Sequence, residues 1–254
     1  MATTPADRFD LTGRIALVTG GSRGLGRAVA LGFAAAGARV VVASRKLDAC
    51  EAVVAEIEAG GGAAAATTVS MGDPDSVEAL VETCVERFGG LGIVVNNAAT
   101  VLDRGIDRLA PDTFRGAFET NLLGPLLLVQ AAIPHLEASG HGSVINVAST
   151  AAFAPSPGRY LYPPAKAALA QATTSLARDL GPRGIRVNAV SPGTFRTDMV
   201  TRAFDEPMLD RIAGMTALGR IGDPDEIVGP MLLLASDAGS MITGEVLTVD
   251  AGTR

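Results

Sequence analysis

Residues 14–26 read Arg-Ile-Ala-Leu-Val-Thr-Gly-Gly-Ser-Arg-Gly-Leu-Gly, and their reading decides the fold. The run 14–19 is apolar and β-branched, as a strand buried on both faces should be. A helical pattern follows over 24–36 and stops at Gly37. Strand, glycine turn and helix in that order open a βαβ unit. In the turn, Gly20 lets the chain bend sharply, Gly24 lets a diphosphate approach the backbone, and Gly26 lets helix and strand pack closely. The free N–H groups around Ser22, Arg23 and Leu25, with the helix dipole behind them, would then face an anion.

The same alternation continues outward from this turn. Further strands are expected over 39–43, 64–69, 91–95, 143–147, 185–190 and 245–249. Further helices are expected over 46–59, 75–88, 111–138 (in two stretches), 157–180 and 224–235. In the second helix, Leu47, Cys50, Val54 and Ile57 share a face at 3–4 spacing, and three glycines from Gly60 end it. Seven apolar strands alternating with helices imply right-handed crossovers. The expected fold class is α/β: a single doubly wound Rossmann-type domain over 1–254, with a seven-stranded parallel sheet covered by helices on both faces. Residues 194–222 carry only scattered apolar positions and read as a flexible flap over a substrate site.

Composition narrows the function classes. Hydrophobic residues make up 48% and charged residues 19% of 254, which excludes a disordered chain. The 30 glycines follow no three-residue period, so a collagen-like fibre is out. Lys plus Arg is 21, Asp plus Glu is 27, and the net charge of -6 comes without a basic run. Binding to nucleic acid or an anionic membrane is therefore not expected. Cys50 and Cys84 are too few for a disulfide framework and read as half-buried thiols in a reducing compartment. Residues 1–13 lack the apolar run of a signal peptide, and the richest apolar stretch, 122–133, is interrupted by Gly124, Pro125 and Gln130. A soluble, cytoplasmic protein is the expectation. His135 and His141 lack partners at ligand spacing and read as surface residues, with no metal site.

The glycine spacing is G-x-x-x-G-x-G, and four more motifs follow it in order: Asn96-Asn97-Ala98-Ala99; Ser149; Tyr162-Pro163-Pro164-Ala165-Lys166; and Ser191-Pro192-Gly193-Thr194-Phe195-Arg196-Thr197. A fifth, Gly244 to Gly252, closes the chain. From about Leu11 to Gly252 the sequence resembles the short-chain dehydrogenase/reductase family, which implies a nicotinamide cofactor and chemistry at a carbonyl or alcohol carbon.

An NAD site of this kind needs a carboxylate at the end of the second strand to receive the adenosine ribose. Here Ser44 stands there, followed by Arg45, with Arg23 in the glycine turn. A hydroxyl and two guanidiniums suit a 2′-phosphate, so NADP(H) is expected over NAD(H). Ser70 and Met71 fall where the family commonly has an Asp-Val pair against adenine. By family analogy Asn97, Ala98, Ala99, Pro192, Gly193, Phe195 and Thr197 would also contact the cofactor.

Tyr162 and Lys166 are four apart and so lie one helical turn apart on one face. A free tyrosine has a pKa of about 10, and a nearby ammonium lowers it. The resemblance implies Tyr162 as general acid and base, and Lys166 as the group that lowers its pKa and binds the nicotinamide ribose. It further implies Ser149 as hydrogen-bond partner of the substrate oxygen, and Asn121 as holder of a relay water. Ser149, Phe153, Tyr160 and Tyr162 are the candidate substrate contacts. Ala154, Pro155, Leu161 and the flap would line the cleft, which suits an uncharged or partly apolar carbonyl compound unless Arg159 or Arg196 binds a carboxylate. The resemblance also implies a homotetramer or homodimer, with small or apolar residues on more than one face of helices 111–138 and 157–180. The competing readings are an NAD(H)-preferring alcohol dehydrogenase and a catalytically silent NADP(H) sensor or scaffold.

Overall fold

The computed structural model describes residues 4–102, 105–154, 156 and 158–253. Its parallel strands are β1 (Ile15–Thr19), β2 (Arg39–Ser44), β3 (Ala63–Thr68), β4 (Ile93–Asn96), β5 (Ser143–Val147), β6 (Arg186–Pro192) and β7 (Val246–Val249). They form one sheet in the order β3-β2-β1-β4-β5-β6-β7. Leu17 of β1 lies opposite Val41 of β2 on one side and Val94 of β4 on the other. The chain reverses its winding direction between β1 and β4, so a crevice opens at their carboxyl ends.

The helices are α1 (Gly24–Ala35), α2 (Leu47–Ala59), α3 (Pro74–Phe88), α4 (Pro111–Phe118), α5 (Gly124–Ser139), α6 (Tyr162–Leu180), α7 (Asp198–Ala203), α8 (Glu206–Ala213) and α9 (Val228–Ala235). Alternation along β1 sends Ala16 and Val18 to one face and Ile15 and Leu17 to the other. The first face is closed by α1, α2 and α9 through Phe33, Val53, Ile57, Met231 and Leu234. The second is closed by α3, α5 and α6 through Leu80, Cys84, Leu128, Leu136 and Leu180. This is the doubly wound seven-stranded sheet that the sequence predicts.

Five local expectations change. The helix foreseen from 157 starts only at Tyr162, and that foreseen from 224 opens with a 3-10 turn, Pro224–Ile227. Helices α4 and α5 join through a π-helical turn, Glu119–Leu123, into one helix from Pro111 to Ser139. By length and composition that helix could cross a membrane, but here Leu128, Val129, Ala132 and Leu136 bury it against the sheet. Both cysteines are fully buried rather than half-buried, and burial pushes the Cys84 thiol up to about 12. His135 and His141 are half-buried, and burial lowers the pKa of His141.

Residues 194–222 carry regular structure rather than a bare loop. Their base is closed by a parallel bridge between Phe195 and Gly222, with Arg196 N donating to Gly222 O at 2.8 Å and Gly222 N to Thr194 O at 3.0 Å. Between these ends lie α7 and α8. Asp205 caps α8, its Oδ1 accepting from Met208 N at 3.1 Å. The apolar positions look scattered in sequence because both helices are short: α7 buries no side chain fully and α8 buries only Leu209.

Candidate active site

The glycine turn sits at the mouth of the crevice, with Gly20 at φ +64° and Gly24 at φ +54°. A Cβ on Gly26 would stand 2.3 Å from Gly20 O and 2.4 Å from Asn97 Nδ2. Only a bare α-carbon fits there, as close helix–strand packing requires. The turn is braced from behind. Buried Thr19 Oγ1 donates to Val95 O and accepts from the backbone N–H of Asn97 and of Ala98, each at 3.1 Å. Asn97 Nδ2 donates to Thr19 O at 2.9 Å and to Gly20 O at 3.1 Å. The Asn97 side chain, foreseen as a cofactor contact, thus spends its donors holding the turn. Ser22 and Leu25 are half-buried and Arg23 is exposed. A cavity of about 380 Å³ lies beside the turn, lined by Ser22, Arg23, Gly24, Arg27, Thr197 and Pro224 among others.

At the end of β2, Ser44 Oγ lies 3.1 Å from Cys50 Sγ and accepts from Lys46 N at 3.3 Å. Arg45 is exposed, and neither it nor Arg23 forms an ion pair among the described residues. Ser70 is exposed, its N donating to Ser76 Oγ at 3.0 Å. Met71 is 5% exposed and belongs to the core, its carbonyl packed so closely on Gly124 that a Cβ there would come within 2.2 Å. Its side chain is therefore unavailable to an adenine ring.

Ser149 follows β5 and caps the 3-10 turn Thr150–Phe153, its Oγ accepting from Ala151 N at 3.2 Å. Tyr162 is the first residue of α6. Pro163 and Pro164 occupy that first turn, where a missing N–H breaks no helical bond. One turn on, Lys166 is 1% exposed, and its Nζ donates to Val147 O, the last carbonyl of β5, at 2.6 Å. The same Nζ lies 5.8 Å from the centre of the Tyr162 ring. Burial lowers the Lys166 pKa to about 8. Asn121 is buried in the π-helical turn. Its Nδ2 donates to Ala117 O and Thr100 O, both at 2.8 Å, and its Oδ1 accepts from Thr100 N at 3.1 Å. The side chain thus ties the loop after β4 to the helix.

Sequence reasoning missed a buried polar chain behind this group. Asn96 and Asn146 are register partners in β4 and β5. Asn96 Nδ2 donates to Asn146 Oδ1 at 2.9 Å, and Asn146 Nδ2 to Thr173 Oγ1 of α6 at 2.9 Å. The chain fixes α6, and with it Lys166, against the strand ends. Its available signal was an asparagine late in each of two largely apolar strands, IVVN and SVINV.

Other foreseen residues divide. The Pro192-Gly193 turn is set by Gly193 N donating to Val249 O at 2.9 Å. The Thr197 methyl stands 3.4 Å from where a Cβ of Gly24 would be, so the flap meets the glycine turn. Phe195 points into the core, its ring lying against Gly222, which leaves only its backbone for a nicotinamide. Leu161, at 2% exposed, is core rather than cleft wall, whereas Phe153 and Tyr160 stand 46% and 44% exposed. Arg196 is paired with Glu206 at 2.9 Å and lines the cavity beside the glycine turn. Pro155 lies outside the described residues.

Comparison with known proteins agrees with this fold. The family model described as enoyl-(acyl carrier protein) reductase matches residues 20–254. The 3-oxoacyl-(acyl-carrier-protein) reductase of Synechocystis is 38% identical over 95% of this chain and 97% of its own length. A 7α-hydroxysteroid dehydrogenase solved with NADH and 7-oxo glycochenodeoxycholic acid superposes with a TM-score of 0.95 at 32% identity, covering 98% of this chain and 97% of that one. A 3-oxoacyl-(acyl-carrier-protein) reductase from Agrobacterium tumefaciens with NADP bound superposes at 0.91 with 31% identity, covering 98% and 97%. With the glycine turn, the Ser149–Tyr162–Lys166 group and the sheet order in place, this chain belongs to the short-chain dehydrogenase/reductase family of oxidoreductases.

Proposed function

We propose that the protein is an NADP(H)-dependent oxidoreductase that moves a hydride between the nicotinamide and a carbonyl or alcohol carbon of a small molecule. The observation that carries this reading is Lys166, buried without a carboxylate partner among the described residues and held by Val147 O one turn behind Tyr162. An ammonium so placed favours the tyrosinate by charge and is itself poised, at about 8, to exchange a proton near neutrality.

The residues fit a dinucleotide. The bare turn at Gly20, Gly24 and Gly26 admits a diphosphate, and Arg23 and Arg45 supply unpaired cations for a 2′-phosphate. When bound, the nicotinamide supplies or takes the hydride. In reduction, Tyr162 Oη gives its proton to the oxygen that becomes the alcohol, and in oxidation it takes that proton back. Ser149 Oγ donates to the same oxygen and stabilises charge as it builds there. Lys166 holds positive charge beside the phenolate and binds the ribose. Asn121 shapes the path by which Lys166 exchanges its proton. NADP bound to the Agrobacterium relative supports the cofactor assignment. NADH bound to the hydroxysteroid dehydrogenase supports the competing NAD(H) reading. In this reading the chain works as one domain in the cytoplasm, as a homodimer or homotetramer. Exposed Phe114 and Leu123 on the helix from Pro111 to Ser139 are available to a second subunit.

NADPH consumption over a panel of ketones, aldehydes and 3-oxoacyl thioesters tests the reading, alongside Tyr162→Phe. The substitution should lower kcat/KM by roughly a hundredfold or more while leaving NADPH binding in place. Turnover unchanged in Tyr162→Phe would remove the mechanism. NADPH binding with no carbonyl consumed would instead favour the silent sensor.

A further inference from the structure

Fifteen large apolar side chains stand exposed among the described residues, and ten of them lie on the three loops that follow β4, β5 and β6. The first loop carries Val101, Leu102, Ile106 and Leu109, and the second Phe153 and Tyr160. The flap carries Met199 (50% exposed), Met208 (40%), Met215 (67%) and Leu218 (65%). Those strands are neighbours in the sheet, so the loops share its carboxyl edge with Ser149 and Tyr162. Apolar surface gathered at one edge marks a binding face rather than the usual scatter of single residues.

Charge on the same loops is balanced. The flap has four arginines against four carboxylates, the loop over 97–110 has two against two, and the loop over 148–161 adds Arg159 alone. Most of the described arginines are also paired: Arg108 with Asp107, Arg196 with Glu206, Arg202 with Asp198, and Arg220 with Glu226. A face that receives an acidic protein needs unpaired cations around the mouth. Of the described arginines on these loops only Arg159 and Arg211 stand outside those pairs, against ten exposed apolar side chains, and flexible methionines adapt to varied apolar shapes.

We infer that the site selects a bulky, largely apolar carbonyl compound that arrives free in solution, and not an acyl chain delivered by an acidic carrier protein. The inference rests on the oxidoreductase reading above and specifies its substrate class. Met199, Met215, Phe153 and Tyr160 are its specificity residues.

The experiment compares kcat/KM for cyclohexanone, a fused bicyclic ketone and a fused tetracyclic ketone, with NADPH saturating. Each step in size should raise kcat/KM by about tenfold or more, since each added ring buries several CH₂ groups. In the Met199→Ser, Met215→Ser double variant the ratio of tetracyclic to monocyclic turnover should fall by about tenfold. A 3-oxoacyl chain on an acidic carrier protein should be reduced no faster than the same chain as a short thioester. Turnover without size dependence would overturn the inference and leave the oxidoreductase reading standing. Salt-sensitive turnover at least about tenfold better with the carrier-bound chain would also overturn it. No turnover of any carbonyl would remove the reading beneath it and the inference together.

Discussion

Replacing Gly26 by alanine tests the packing of the glycine turn directly. The new Cβ would lie 2.3 Å from Gly20 O and 2.4 Å from Asn97 Nδ2, against 3.4 Å for an ordinary contact. The backbone at Gly20 must then retreat by about 1 Å, as overpacked sites do at a cost of about 1–3 kcal/mol. That retreat stretches the bonds from Asn97 Nδ2 to Thr19 O and Gly20 O, each worth about 1 kcal/mol. Alanine's helix preference returns up to about 1 kcal/mol. The net loss is roughly 2–4 kcal/mol, or a fall in Tm of roughly 5–10 °C for a chain of this size. Gly229→Ala in α9 is the opposite-sign control. No atom lies within 4 Å of its would-be Cβ, and φ there is not in the left-handed range. That variant should gain about 0.5–1 kcal/mol. Thermal melts with and without NADPH read both, and Gly26→Ala should also weaken NADPH binding by about tenfold or more. A Gly26→Ala protein melting within about 2 °C of wild type and binding NADPH normally would refute the close-packed turn. Equal losses in the two variants would trace the effect to glycine replacement in general.

The Arg23→Ala, Arg45→Ala double variant should lower kcat/KM for NADPH by about tenfold to a hundredfold and leave NADH nearly unaffected, since a charged hydrogen bond is worth about 1.5–3 kcal/mol. An undiminished preference in steady-state kinetics with both cofactors would reject the 2′-phosphate site. Only two lysines occur in the chain, Lys46 and Lys166, so selective lysine labelling gives two NMR signals. One of them should titrate near 8, the value to which burial lowers Lys166 from its ordinary 10.5. The folded pKa lies below the unfolded one. Between pH 8 and 10.5 the unfolded chain therefore binds a proton the folded chain has released, and stability rises with pH through that window. Urea midpoints should climb there in wild type relative to Lys166→Met, and a Lys166 signal titrating above 10 would contradict the burial argument. On a sizing column at micromolar concentration the protein should elute as a dimer or tetramer, and a monomer would remove the proposed subunit contact.

Much of the fold was legible in the sequence because its signals are local. Apolar runs such as Ile15–Thr19 and glycines at helix ends such as Gly37 and Gly89 mark where each strand and helix lies, and strand bounds differ from expectation by a residue or two. The short helices of the flap were not legible. A helix of six or eight residues that buries one side chain or none has too little periodicity to separate from a loop. The pairing of Asn96 with Asn146 escaped notice for a different reason: a hydrogen bond between residues 50 apart is not encoded within either strand.

By itself the sequence determined the α/β class, the glycine turn, the Ser149–Tyr162–Lys166 set and the cations at the end of β2. The glycine turn and the Tyr162–Lys166 pair depend on residue type and spacing within one element, whereas Ser149 lies in a separate turn and joined them through the family resemblance. Only the tertiary structure decided what each foreseen residue touches. It committed Asn97 to bracing the turn, and it turned Phe195, Leu161 and Met71 into the core. It paired Arg196 with Glu206, and it buried Lys166 against Val147 O. Those outcomes follow from which elements pack together, because burial and long-range hydrogen bonds are properties of the assembled sheet and helices and of no single stretch of chain.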